Sequence, residues 1–193
     1  MTNLRQLPLV LAFLGLFTHC DGTNQDNYAD TYLNSEYQSK EDRIKEIRAL
    51  YQKSESLLSR ASGCSTGQKN HNGTNRHVKM NYCDKAKICR LRDELSVMQG
   101  IFQDWEYGES VKVYLQNNNV YFVFMFGGST RAACEYEQRV YFDKSGNIIR
   151  FLERAIDDDE IMSADREITD PHRIEEIRNY IFDNINIIKE IVN

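Results

Sequence analysis

Cysteine, histidine and carboxylate residues recur in this chain at spacings that suggest several chemistries. Cys64, His71, His77 and Cys83 bring four thiol and imidazole groups together, the donor types that zinc takes. Zinc fingers keep their cysteines and histidines in close pairs, which this spacing does not. Asp157, Asp158, Asp159, Glu160 and Asp165 offer the hard oxygen donors of a calcium site. The EF-hand spacing and its turn glycine are missing, so a solvated linker is the expectation. Glycoside hydrolysis requires two carboxylates in one cleft. Glu106, Glu109, Glu135 and Glu137 lie on or beside expected strands and are the candidates for such a pair. Nucleophilic catalysis requires a base beside a Ser or Cys. Past residue 20 the histidines are His71, His77 and His172, two in an expected loop and one at an expected helix start. No Gly-x-Ser-x-Gly, P-loop or His-Glu-x-x-His pattern occurs. No catalytic residue, metal ligand or cofactor is assigned, and the expectation is a protein that is not an enzyme.

Cys20 carries a different chemistry. It follows an apolar run of eleven residues, 7–17, which itself follows the lone basic residue Arg5. Crossing a bilayer core of about 30 Å takes roughly 20 apolar residues in a helix, so this run reads as a cleaved signal instead. No small-x-small cleavage site precedes the polar stretch 21–27. A cysteine at this position offers the alternative route, in which its thiol is lipidated and its amine becomes the new N-terminus. Phe17-Thr18-His19-Cys20 resembles a lipobox, with His19 large where a small residue is usual. Two or more acyl chains, at about 0.8 kcal/mol per buried CH₂, hold a protein stably on a membrane. The organisation expected is a lipoprotein signal over 1–19, a flexible tether over 20–38 and a single domain over 39–193. A plain signal peptide with an incidental cysteine is the alternative.

The chain has 193 residues and a formal net charge of −5. That is enough length for one domain with a real core and too acidic a balance for a nucleic-acid partner. Cys64, Cys83, Cys89 and Cys134 form an even set, which in an exported chain suggests two disulfides. Three pairings are open. The one preferred is Cys64–Cys83, closing a Gly/Asn-rich loop, with Cys89–Cys134 tying an early segment to the late sheet.

The elements that position these residues follow from periodicity. Ser39 and Asp42 resemble a capping box. Ile44, Ile47, Tyr51 and Leu58 then form one stripe of a helix over 39–60. Residues 63–75 read as a loop. Strands are expected at 76–83, 97–106, 110–116, 119–126, 134–142 and 147–153. The run 120–126 is apolar on both faces, as a central strand requires. The asparagines at 117–119 and the stretch 143–146 are turns. A last helix over 170–192 opens on Asp170 and Pro171 and presents Ile174, Ile177, Ile181, Ile185, Ile188 and Val192 on one side. The fold class expected is α+β: an antiparallel, strongly twisted sheet of about six strands packed against an N-terminal and a C-terminal helix. Phe102, Trp105, Tyr107, Tyr114, Tyr121, Tyr136 and Tyr141 crowd this sheet. Core packing is the first expectation for them. Trp105, Tyr107, Tyr114 and Tyr121 become a binding surface if one face stays uncovered.

The strand pair Val-Tyr-Leu-Gln-Asn-Asn-Asn-Val-Tyr-Phe-Val-Phe and the later Glu-Gln-Arg-Val-Tyr-Phe-Asp-x-Ser-Gly-Asn-Ile-Ile-Arg-Phe-Leu-Glu follow an Ile-Arg-x-x-Tyr helix. Over residues 41–154 this pattern resembles a loose group of exported bacterial proteins, many of them lipoproteins. The lipobox resembles the looser spirochaete (Leptospira-like) kind. The resemblance implies architecture and export, and no catalytic residues. The function expected is that of an envelope lipoprotein on the outer membrane or periplasmic face, a non-catalytic binding or structural module for a protein or glycan partner. The alternatives are an inhibitor of a hydrolase such as lysozyme, acting through loop 63–75, and a carboxylate-based envelope hydrolase.

Overall fold

Apolar and polar side chains alternate over much of residues 83–157, which turns successive residues to opposite faces of a sheet. A computed structural model describes residues 26–69, 83–103, 107–129, 134–157, 160–161 and 164–193. The chain divides into two compact units, residues 1–37 and 38–193. The described part of the first is helical backbone from Asp26 onward.

The order of elements is α1 (Asp26–Leu58), β1 (Cys64–Gln68), β2 (Cys83–Arg90), β3 (Leu95–Gln103), β4 (Tyr107–Gln116), β5 (Asn119–Ser129), β6 (Cys134–Phe142), β7 (Ile148–Asp157), β8 (Glu160–Ile161), β9 (Arg166–Glu167) and α2 (Pro171–Val192). From β1 to β8 each strand pairs with the next, antiparallel wherever they meet, and β9 returns to β7. This is the expected α+β architecture with a larger sheet than about six strands. The additions are β1, inside the stretch read as a loop, and the two-residue strands β8 and β9.

Three expectations need correction. The helix begins at Asp26 and runs through Ser39, so Ser39 is not its cap. The polar stretch 26–38 has no apolar period to announce a helix. The strand expected over 76–83 falls outside the described residues except for Cys83, and β2 continues instead to Arg90. There, exposed Lys85 and Lys87 alternate with Ala86 and Ile88, which face the core. Finally, Cys64 is bonded to Cys89, not to Cys83. The β1–β2 register sets Cys64 directly opposite Cys89, with Cα atoms 4.3 Å apart. That bond also removes the expected Cys89–Cys134 pair. The side chains of Cys83 and Cys134 lie outside the described residues.

The turns follow local chemistry. Asn117 and Asn118 take φ of 52° and 64° between β4 and β5, a region asparagine tolerates. Asp93 and Glu94 do the same between β2 and β3, at 58° and 59°. Between β6 and β7, the Asp143 carboxylate accepts backbone N–H bonds from Ser145 and Asn147, each 2.8 Å. Burial pushes this carboxyl up, but those bonds outweigh it and hold it below the usual range.

Each sheet face has its own core. Toward α2 lie Met98, Phe102, Val111, Val113, Leu115, Val123, Met125, Val140, Phe142 and Phe151, closed by Ile181, Ile185 and Ile188. Toward α1 lie Leu95, Val97, Tyr114, Tyr121, Phe122 and Tyr141, closed by Ile44 and Ile47. The central strand β5 serves both, as its apolar run requires. Asp170 caps α2 by accepting from the His172 N–H at 2.9 Å, with Pro171 at the first position. Two glycines let α2 settle. A Cβ at Gly67 would stand 2.0 Å from the Ile191 carbonyl oxygen, and one at Gly100 would stand 3.0 Å from Ile188 Cδ1.

Candidate functional site

The α1 face is covered only in part. Its covered rows carry tyrosines whose hydroxyls reach the helix. Tyr114 donates to Glu55 Oε1 at 2.7 Å, and the Tyr121 hydroxyl meets Ser54 Oγ at 2.8 Å. Tyr51 stands edge-on to Tyr114 and Phe122, with ring centroids 5.2 and 5.3 Å away. Burial pushes the Tyr121 phenol up to about 12 and raises Tyr114 and Tyr51 as well. Tyr114 and Tyr121 are each 1% exposed. They are core residues, which corrects their candidacy as a binding surface. Of the other two candidates, Trp105 lies outside the described residues, and Tyr107 belongs to β4 with its side chain likewise outside them.

Beyond those rows the same face reaches solvent. Ile101, Ser110 and Phe126 are register partners on β3, β4 and β5. Ile101 and Phe126 are each 36% exposed. The adjacent row reads Lys87, Gln99, Lys112, Phe124 and Arg139. Next to Phe126, Glu137 is the centre of a charge network, 3.1 Å from Arg139 Nε and paired with Arg154. Arg139 also pairs with Asp165. This apolar patch with charged borders was not singled out from the sequence, because the aromatic count drew notice to tyrosines that the helix covers. The signal available was the alternation itself, which turns Ile101 on β3 and Phe126 on β5 to one face, on either side of Ser110 on β4.

The α2 face holds a buried polar cluster. Glu109 is 4% exposed and accepts from Tyr136 Oη at 2.9 Å and from Tyr180 Oη. Burial raises its carboxyl above the usual range, and the two phenol bonds pull it back only in part. Farther toward β7, Glu153 accepts from Gln138 at 2.7 Å, Arg166 at 2.6 Å and Arg173 at 3.3 Å. Burial pushes the Glu153 carboxyl up, yet these bonds outweigh it and leave it below the usual range.

The four candidate carboxylates do not assemble. Glu109 faces α2, whereas Glu137 shares its face with Tyr141 and the α1 core. Glu135 sits at Glu137's parity, and Glu106 lies outside the described residues. The zinc set is divided: Cys64 is in a disulfide, and His71 and His77 lie outside the described residues. Of the calcium set, Asp165 pairs with Arg139. Among the described residues no three His, Cys, Asp or Glu side chains gather as a metal site would need. Cys20 also lies outside them. No described helix is long and apolar enough to cross a membrane.

These features define an antiparallel α+β domain with one closed face and one partly open face. Comparison with known proteins finds no matching family model, no similar curated protein and no similar solved structure.

Proposed function

We propose that this chain is a lipid-anchored protein of a bacterial envelope that works by binding a protein partner, not by catalysis. Its contact surface is the open part of the α1 face, centred on Ile101, Phe124 and Phe126. The observation that carries this reading is the exposure of Ile101 and Phe126 in one register row, flanking the small Ser110 of β4. Isolated exposed apolar residues are ordinary on a soluble protein, but apolar residues grouped on one sheet face inside a polar rim are the anatomy of an interface. The separation of Glu109 and Glu137 onto opposite faces supports a non-catalytic role, since paired-carboxylate chemistry needs both in one cleft. The apolar run 7–17 ending in Cys20 supports the anchor.

A photo-crosslinking residue at position 126, in cells that make the protein, tests the surface. The control is position 182, where Phe182 is 40% exposed on α2. A discrete protein adduct from 126 and none from 182 is the expected result. Equal labelling from both, or none from 126, overturns the surface. The intact mass of the protein extracted from membranes tests the anchor, and a mass without acyl chains overturns it.

A further inference from the structure

The side of α2 that faces the sheet carries Ile177, Tyr180, Ile181, Asn184, Ile185 and Ile188. Four are isoleucines. Tyr180 finds Glu109. Asn184, one helical turn on from Tyr180 and one turn before Ile188, points the same way. It is 0% exposed, and neither its Oδ1 nor its Nδ2 has a hydrogen-bond partner in the protein. A primary amide carries two donors and an acceptor oxygen with two lone pairs. Burying such a group unpaired forfeits its hydration with nothing in return, and buried polar atoms in native proteins are accordingly almost always satisfied. The helical neighbours of Asn184 toward the sheet are Tyr180, whose hydroxyl donates to Glu109, and Ile181, Ile185 and Ile188, which have no side-chain donor or acceptor.

We infer that Asn184 marks an internal binding site between α2 and the sheet for one small uncharged molecule that both donates and accepts hydrogen bonds. The fit is to water. A charged ligand would need a counter-charge that the isoleucines do not supply. A larger organic ligand would need room that a fully buried side chain in a packed isoleucine stripe does not leave. A single water satisfies the amide oxygen and one amide hydrogen together, and its own remaining bonding capacity can reach backbone groups. The position is a polar insertion in the closed face, on the same helix that fixes Glu109.

A high-resolution X-ray structure of the native protein tests this inference. The expected result is a single ordered peak about 2.7–3.2 Å from both Asn184 Oδ1 and Nδ2, absent from the structure of Asn184→Leu with α2 in the same place. Three results overturn it: the amide atoms bonded to protein groups, both atoms facing empty space, or density larger than one atom. If Asn184→Leu does not fold, the native structure alone decides.

Discussion

The two faces of the sheet bury apolar surface by different means. The α2 face is mainly aliphatic and closed, and its core takes side chains from β2 through β7. The α1 face is rich in tyrosine and phenylalanine rings, with the Tyr121 and Tyr114 hydroxyls tied to Ser54 and Glu55, and it closes only part way. One set of strands supplies both, because alternation sends successive residues to opposite sides. The difference lies in the helices. α2 crosses the sheet as far as β1, where Gly67 admits the backbone of Ile191. The core contacts of α1 centre on the row of Val97, Tyr114, Phe122 and Tyr141, and Glu55 reaches Lys112 in the next row at 3.8 Å; beyond it Ile101 and Phe126 are partly open to solvent. A face can thus be core at one end of a strand and surface at the other without any break in pattern.

Truncation on the closed face gives the largest effect. Phe142 is 0% exposed and packs in the α2-side core. Phe142→Ala should cost about 4 kcal/mol, the range for a fully buried phenylalanine. Urea denaturation measures it. A loss below about 1 kcal/mol, the size expected at a surface site, would break the contrast between the faces.

The disulfide ranks next. It closes a sequence separation of 25 and fastens the edge strand β1 to β2 on the face opposite α2. Replacing Cys64 and Cys89 together by serine should cost about 3 kcal/mol through the freed unfolded chain. If the double variant keeps the parent's urea midpoint, the bridge does not hold β1 on the sheet.

How much of this was legible in the sequence depends on the chemistry of each segment. Asp170 with Pro171 announced α2, and the asparagines at 117 and 118 announced their turn, because each type suits its backbone. Glu94 at positive φ carries no such sign, so the β2–β3 hairpin and the true extent of β2 were hidden. The disulfide was illegible for the same reason. Pairing follows register, and register depended on β1, whose five residues include Gly67 and no aliphatic side chain. Tyr114, Tyr121 and Tyr141 lie in the core, as their clustering suggests, yet the open patch depends on how far α1 covers the face, which periodicity does not set. Asn184 reads from sequence as one polar residue among isoleucines; only the placement of α2 buries it.

Acidity separates the faces further. Burial holds the Glu109 carboxyl above the usual range, with Tyr180 and Tyr136 opposing. The folded chain keeps a proton there that the unfolded chain has released. That group's contribution is therefore intact below the unfolded value and is lost as pH rises through the folded one. Glu109→Gln has no such titration, so its Tm relative to the parent should improve from about pH 4 to pH 7. Tm measured by circular dichroism across that range decides. A constant difference would mean that the buried carboxyl titrates alike in both states.

The smallest effect belongs to the open patch and is the sharpest test of the comparison. Phe126 lies on β5, one residue beyond fully buried Met125 and two from Phe124, yet it keeps 36% of its surface in water. Its ring has no aromatic partner among the described contacts, whereas Phe122, on the same strand and face, has three. Phe126→Ala should therefore change stability by no more than about 0.5 kcal/mol, as surface substitutions do, while weakening capture of the partner crosslinked from that face. A loss of several kcal/mol in the urea midpoint would show that the ring is structural and that the α1 face is closed after all. A near-neutral fold with unchanged capture would leave the face open but put the contact elsewhere. Stability and binding move independently only if this end of the strand is surface, so the pair of measurements separates the two faces where neither alone would.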